Sequence, residues 1–247
     1  MSPFNLLRVH GITAGYRNGV DVLREAGLDV REHETVAILG SNGAGKSTLL
    51  SAIAGLLTPS SGTVEFAGEN ITGMPAHLLC ERGIVLVSSG RMVFPDQTVE
   101  DNLAVGAHIH RRDRSRSARL MQAAFERFDV LASNRRQLAG RLSGGQQQIL
   151  VIARGLMAKP KLLMLDEPCM GLDPAGIDAV FETIGKLREE GVAMLIVEKI
   201  ARLAESLADR LAVMEMGRIV LFGDTARVAT DSRVEEAYLG KVKPRLS

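Results

Sequence analysis

Gly40-Ser41-Asn42-Gly43-Ala44-Gly45-Lys46-Ser47 is the stretch from which the rest of this sequence is read. It fills every fixed position of the pattern GxxxxGK[ST]. Glycines let a backbone turn tightly enough for successive amide N–H groups to converge on phosphate oxygens. Such a loop works between a buried strand and a helix, because the helix adds the positive end of its dipole. Both flanks are present: residues 35–39 form a short, mostly apolar run that predicts a buried strand, and residues 48–57 carry a helical pattern. Lys46 is then placed to reach the β- and γ-phosphates of a nucleotide, and the Ser47 hydroxyl to ligate Mg²⁺.

Working outward, residues 6–14 and 20–30 alternate as strands do, with a turn at Arg17-Asn18-Gly19. Residues 63–66 belong to a further strand pair and residues 84–87 to a buried strand. From residue 98 to about 157 the pattern is mostly helical, opened by a capping signal at Thr98-Val99-Glu100-Asp101. Strand character returns at 161–165 and 192–197. Between them Asp173-Pro174 supplies an N-cap and a first-turn proline for a helix running to about Glu190. Residues 211–222 predict a hairpin around Met216-Gly217, and Ser232-Arg233-Val234-Glu235 caps a last short helix. Strands alternating with helices imply an α/β fold with a mostly parallel, covered sheet, and the long helical stretch implies a second lobe.

Leu162-Leu163-Met164-Leu165-Asp166-Glu167-Pro168 is a buried strand ending in two carboxylates. Unpaired buried carboxylates are costly, so a pair at a strand end calls for a cation or a ligand. Ligands of parallel sheets sit beyond the carboxyl ends of the strands, where Lys46 is also expected. Asp166 is then the outer-sphere Mg²⁺ partner, and Glu167 is placed to polarise an attacking water. Upstream, Leu142-Ser143-Gly144-Gly145-Gln146-Gln147-Gln148 opens a helical run with a hydroxyl and free backbone amides. That is either a second anion site or a plain N-cap with a glycine hinge.

The order of phosphate loop, helical stretch, LSGGQ and acidic strand resembles the ATP-binding cassette family over nearly the whole chain. The resemblance implies a P-loop NTPase (RecA-like) core with an antiparallel β part, formed by residues 1–90 and 158–247, and an inserted helical lobe, residues 91–157. It implies an ATPase that binds ATP and Mg²⁺, with Lys46 and Glu167 as catalytic residues and Gly40 through Thr48 contacting the nucleotide. It further implies a head-to-tail pair in which Ser143, Gly144, Gly145 and Gln146 serve ATP held by the opposite subunit. Gly171-Leu172-Asp173-Pro174 resembles the loop through which the two sites communicate, with Asp173 central, and Tyr16 matches the aromatic that stacks on adenine. Three stretches resemble the ATPase subunits of branched-chain amino-acid importers, a pattern shared with urea and amide importers. They are Ser88-Ser89-Gly90-Arg91-Met92-Val93-Phe94-Pro95 followed by Thr98-Val99-Glu100-Asp101-Asn102-Leu103, then Ile196-Val197-Glu198, then Glu236-Ala237-Tyr238-Leu239-Gly240. The partners implied are a second, different cassette, membrane-spanning permease subunits and, indirectly, an extracytoplasmic solute-binding protein. The place implied is the cytoplasmic face of the inner or plasma membrane.

Two positions depart from that pattern. Ser89 stands where the family carries a glutamine or glutamate touching Mg²⁺ and the attacking water, and reaches the metal site only through a water. Lys199 stands where most cassettes have a histidine at the γ-phosphate, a charge able to meet a phosphate oxygen. A mainly regulatory, degenerate cassette therefore stays an alternative to a full hydrolase. Elsewhere the sequence excludes more than it suggests. A net charge of +1 gives no global pull toward nucleic acid, and the arginine run 111–119 lacks interleaved aromatics. Cys80 and Cys169 form no CxxC pair, which fits a reducing compartment without a disulfide or zinc framework. Neither a signal peptide nor an apolar run of about 20 residues is expected.

Overall fold

The computed structural model describes residues 5–16 and 19–231. In chain order these form β1 (Asn5–Tyr16), β2 (Val20–Arg31), β3 (Thr35–Leu39), α1 (Lys46–Ile53), β4 (Ser61–Phe66), β5 (Glu69–Asn70) and α2 (Ala76–Arg82). There follow β6 (Ile84–Val87), α3 (Val99–Gly106), α4 (Arg114–Arg127), α5 (Asp129–Ser133), α6 (Gly144–Leu156), β7 (Leu162–Asp166) and α7 (Pro174–Glu189). Last come β8 (Ala193–Val197), α8 (Ala201–Leu207), β9 (Arg210–Glu215), β10 (Arg218–Asp224) and α9 (Thr225–Val228). The chain divides into two compact units, residues 1–76 with 193–247, and residues 77–192. The expected helical lobe, 91–157, falls inside the second. Arg17 and Asn18 of the expected turn, the expected cap at 232–235 and the stretch 236–240 lie outside the described residues.

In the first unit, β3 is buried at all five positions because a parallel strand lies on each side of it. Ala37 pairs with Ile196 of β8 on one side and with Leu211 of β9 on the other. Ala204 of α8, Ala208 just after it and Val228 of α9 close over Ala37, Leu39, Leu211 and Val213. A separate antiparallel sheet has the order β2-β1-β4-β5, and the alternation along β1 and β2 is its inward and outward faces. The expected helix at 48–57 is displaced: α1 starts at Lys46 and ends at Ile53. Its end is set by Gly55, left-handed at φ 70°, with the Leu56 amide bonded to Ser51 O and the Gly55 amide to Ala52 O. That is a helix stop glycine makes easily. The leucines that extended the apolar pattern are past it, and Leu56 is 63% exposed.

An ion cluster ties this unit together. Arg210, at the start of β9, donates from Nε to Glu34 Oε1 at 2.7 Å and from Nη2 to Glu34 Oε2 at 2.9 Å and Asp29 Oδ2 at 2.7 Å. Its guanidinium also lies 4.5 Å from the Phe222 ring centroid. Burial alone would lower the pKa of Arg210, but the hydrogen bonds to Glu34 and Asp29 outweigh it and hold it above its ordinary value.

In the second unit, β6 and β7 pair in parallel, with Val87 opposite Leu165. Helix α6 packs against both α3 and α7. Thr98 closes the expected capping box on α3: the Asp101 amide donates to Thr98 Oγ1 at 3.1 Å, and the Thr98 amide to Asp101 Oδ2 at 3.2 Å. The fully buried Asn102 fastens the preceding loop, accepting from the Phe94 amide and donating to the carbonyls of Phe94 and Thr98.

Candidate functional site

The phosphate loop leaves β3 at Gly40 and enters α1 through Gly45, whose φ of 108° only glycine adopts without strain. A Cβ on Gly40 would stand 2.3 Å from Met214 O, so the loop lies directly against the β9 backbone. The turn after β9 completes the support: the Gly217 amide donates to Ala44 O at 2.8 Å, and the Arg24 amide donates to Gly217 O at 2.9 Å. Met216-Gly217, read from sequence only as a hairpin turn, thus braces the loop. No signal in the sequence marks that role, since the residues are far apart in the chain.

Within the loop Lys46 is buried, and its ammonium donates to Gly40 O at 2.7 Å and Ser41 O at 3.0 Å. It is held inside the curl of the loop, where phosphate oxygens would be its stronger acceptors. Ala44, Gly45 and Thr48 are buried, whereas Ser41, Asn42, Gly43 and Ser47 are exposed. Tyr16 ends β1 at 55% exposed. Its strand reaches the loop's neighbourhood, for Ala14 pairs with Leu23, and Leu23 Cδ2 would lie 3.2 Å from a Cβ on Gly45. Lys199 follows β8 at the same sheet edge as the loop, with an exposed side chain. The preceding Glu198 is buried and accepts from the Lys199 amide at 2.7 Å and the Ile200 amide at 3.2 Å, fixing the path of the backbone there.

In the second unit, Asp166 ends β7 with its side chain buried, and Glu167 follows with φ 48°, a left-handed conformation uncommon outside glycine. Strain of this kind concentrates where a side chain must be aimed. Ser89 and Glu167 each stand two residues past the paired Val87 and Leu165, so both emerge at the carboxyl edge of the strands. Ser89 is half-buried.

Ser143 caps α6 in a full capping box: the Gln146 amide donates to Ser143 Oγ at 3.3 Å and the Ser143 amide to Gln146 Oε1 at 3.0 Å. The N-cap reading is observed, and the cap leaves the Ser143 side chain exposed. The glycines have distinct reasons. A Cβ on Gly145 would stand 2.7 Å from Gly176 Cα, so this is where α6 and α7 touch backbone to backbone. Asp173 caps α7 by accepting from the Gly176 amide at 2.8 Å. Gly145→Ala is accordingly expected to force α6 from α7 at a cost of about 1–3 kcal/mol, read as a lowered unfolding midpoint in denaturant. An unchanged midpoint would show that the contact is not tight.

Comparison with known proteins follows the same outline. Residues 23–170 match the family model described as ABC transporter. The chain is 42% identical, over 91% of its length and 96% of the relative's, to the high-affinity branched-chain amino acid transport ATP-binding protein BraG of Pseudomonas aeruginosa. It is 32% identical to BraF of the same organism, over 96% of this chain and 98% of that one. Among solved structures, an ATP-binding cassette of an ABC transporter in its ADP conformation superposes with a TM-score of 0.83 at 29% identity. That match covers 96% of this chain and 100% of the other.

Proposed function

Because the chain belongs to the ABC transporter family of ATP-binding cassettes, we propose that it is the ATP-hydrolysing subunit of an importer for branched-chain or related amino acids. The observation that carries the reading is the likeness, across almost the full length of both chains, to proteins named for branched-chain amino acid transport. The site residues support it in kind. Lys46 exchanges the carbonyls of Gly40 and Ser41 for phosphate oxygens, and the amides of Gly40 through Thr48 receive the rest of the phosphate charge. Tyr16 offers a ring for adenine. Ser47 and Asp166, a hydroxyl and a buried carboxylate, are hard oxygen donors of the type Mg²⁺ takes along with phosphate. Bound there, Mg²⁺ would neutralise charge developing on the phosphates. Glu167 orients and deprotonates the attacking water. Ser143, Gly144, Gly145 and Gln146 face ATP carried by a second cassette, with Asp173 between the two sites.

The membrane partner would be met outside the bilayer, since no described helix is long and apolar enough to cross one. A groove of about 420 Å³ runs along β6 and α6, lined by Val85, Met92, Val105, Ile109 and Val151. Met92 is 65% exposed and Val105 52%, an apolar face suited to a short helix of a permease subunit at the cytoplasmic side. The test is capture of the complex from native membranes, with identification of every retained subunit and measurement of ATP-dependent uptake of leucine, isoleucine, valine and urea. Co-purifying permease subunits and amino-acid uptake are expected. Met92→Glu should lose the permease while the chain still binds ATP. Uptake of urea alone, or no membrane partner, refutes the reading.

Lys199 is assigned the γ-phosphate contact, supported by its position at the sheet edge that carries the phosphate loop. Lys199→Ala should lower ATP turnover of the assembled complex about tenfold, the worth of one charge-assisted hydrogen bond. Unchanged turnover would leave Lys199 a solvated side chain.

A further inference from the structure

Two residues past Ser89, Arg91 adopts φ 46°, left-handed for a bulky residue, and is half-buried. This carries its guanidinium to the first signature glycine. A Cβ on Gly144 would stand 2.4 Å from Arg91 Nη1, and one on Gly171 would stand 3.9 Å from Nη2. The same Gly144 Cβ would lie 3.3 Å from Leu172 Cδ2. Arg91 therefore touches the signature and reaches the loop that carries Asp173. Arg135 and Arg210 both meet carboxylates. No ion pair or side-chain hydrogen bond among the described residues takes up the Arg91 guanidinium.

Helix α6 spans 13 residues, and its dipole is positive at the end where Arg91 lies. The acid near that end, Asp173, is engaged by the Gly176 amide at 2.8 Å, so the Arg91 guanidinium, beside the exposed Ser143, keeps its donors for an anion. Guanidinium is also the side chain best matched to two phosphate oxygens at once. We propose that Arg91 is a nucleotide-contacting residue of the signature surface, binding a terminal phosphate of the ATP held by the opposite cassette. The glycine at 144 is then required because a side chain there would displace the arginine. This rests on the reading that the signature serves the opposite nucleotide.

The experiment compares Ser143→Ala, Arg91→Ala, Arg91→Gln and Arg91→Lys in the complex isolated from its membrane, measuring turnover and KM for ATP. In parallel, binding of a fluorescent ATP analogue to each isolated chain reports on its own phosphate loop and on folding. Arg91→Ala and Arg91→Gln should lower turnover/KM at least about tenfold, as Ser143→Ala does, with Arg91→Lys in between and analogue binding unchanged. A purely packing role would be preserved by Gln and not rescued by Lys. If Ser143→Ala loses activity while Arg91→Ala and Arg91→Gln match the parent, the assignment of Arg91 is wrong and the paired-cassette reading stands. If Ser143→Ala itself is silent, the pairing reading fails and the assignment falls with it.

Discussion

Glu167→Gln is expected to lower ATP turnover of the complex by about 10²–10⁴-fold, the range lost with a general base, while ATP still binds. The side chain follows a fully buried strand, and its own backbone is turned to φ 48°, so its direction is set by the fold. Glutamine keeps the shape and removes the proton acceptor. Phosphate release under saturating ATP measures the loss, and retention of a fluorescent ATP analogue shows that the phosphate loop is intact. Turnover within about twofold of the parent would mean that a partner cassette does the chemistry, the regulatory alternative that Ser89 and Lys199 keep in view.

Arg210→Ala is expected to destabilise the fold by about 3–5 kcal/mol, the cost of breaking a buried pair by removing one partner. Glu34 would be left as a buried carboxylate held, among the described residues, only by the Arg31 amide at 2.7 Å and the Arg31 guanidinium at 3.9 Å, and Asp29 would lose its cation. Part of the loss is therefore the under-compensated charge on Glu34, so adding Glu34→Gln should recover some of it. Denaturant unfolding of the two variants measures this. Equal midpoints for Arg210→Ala and the parent would show that the cluster adds nothing. The position matters for activity too, because β9 carries Met214, against which Gly40 is packed, and leads into the turn that braces Ala44.

Much of the architecture is legible in the sequence because its signals are local. A short, mostly apolar run followed by glycines marks β3 and the phosphate loop, and Asp173-Pro174 marks the start of α7, since capping involves neighbours only. The apolar period overstates the helix after the loop, because it continues through Leu56 and Leu57 while Gly55 ends the hydrogen bonding and α1 stops at Ile53. The role of Gly145 is equally hidden, because its need to be glycine comes from Gly176 on another helix.

Residue order alone carries the chemistry on offer: a lysine in a glycine loop, two carboxylates after an apolar strand, and a serine before two glycines. Those depend on residue type and short spacing, which the chain carries without folding. How each group is held depends on the folded chain. The curl of Lys46 onto its own loop, the bracing of that loop by Gly217, and the placement of Arg91 over Gly144 join residues separated by 5 to more than 170 positions. Such contacts depend on packing between elements, which no local pattern encodes.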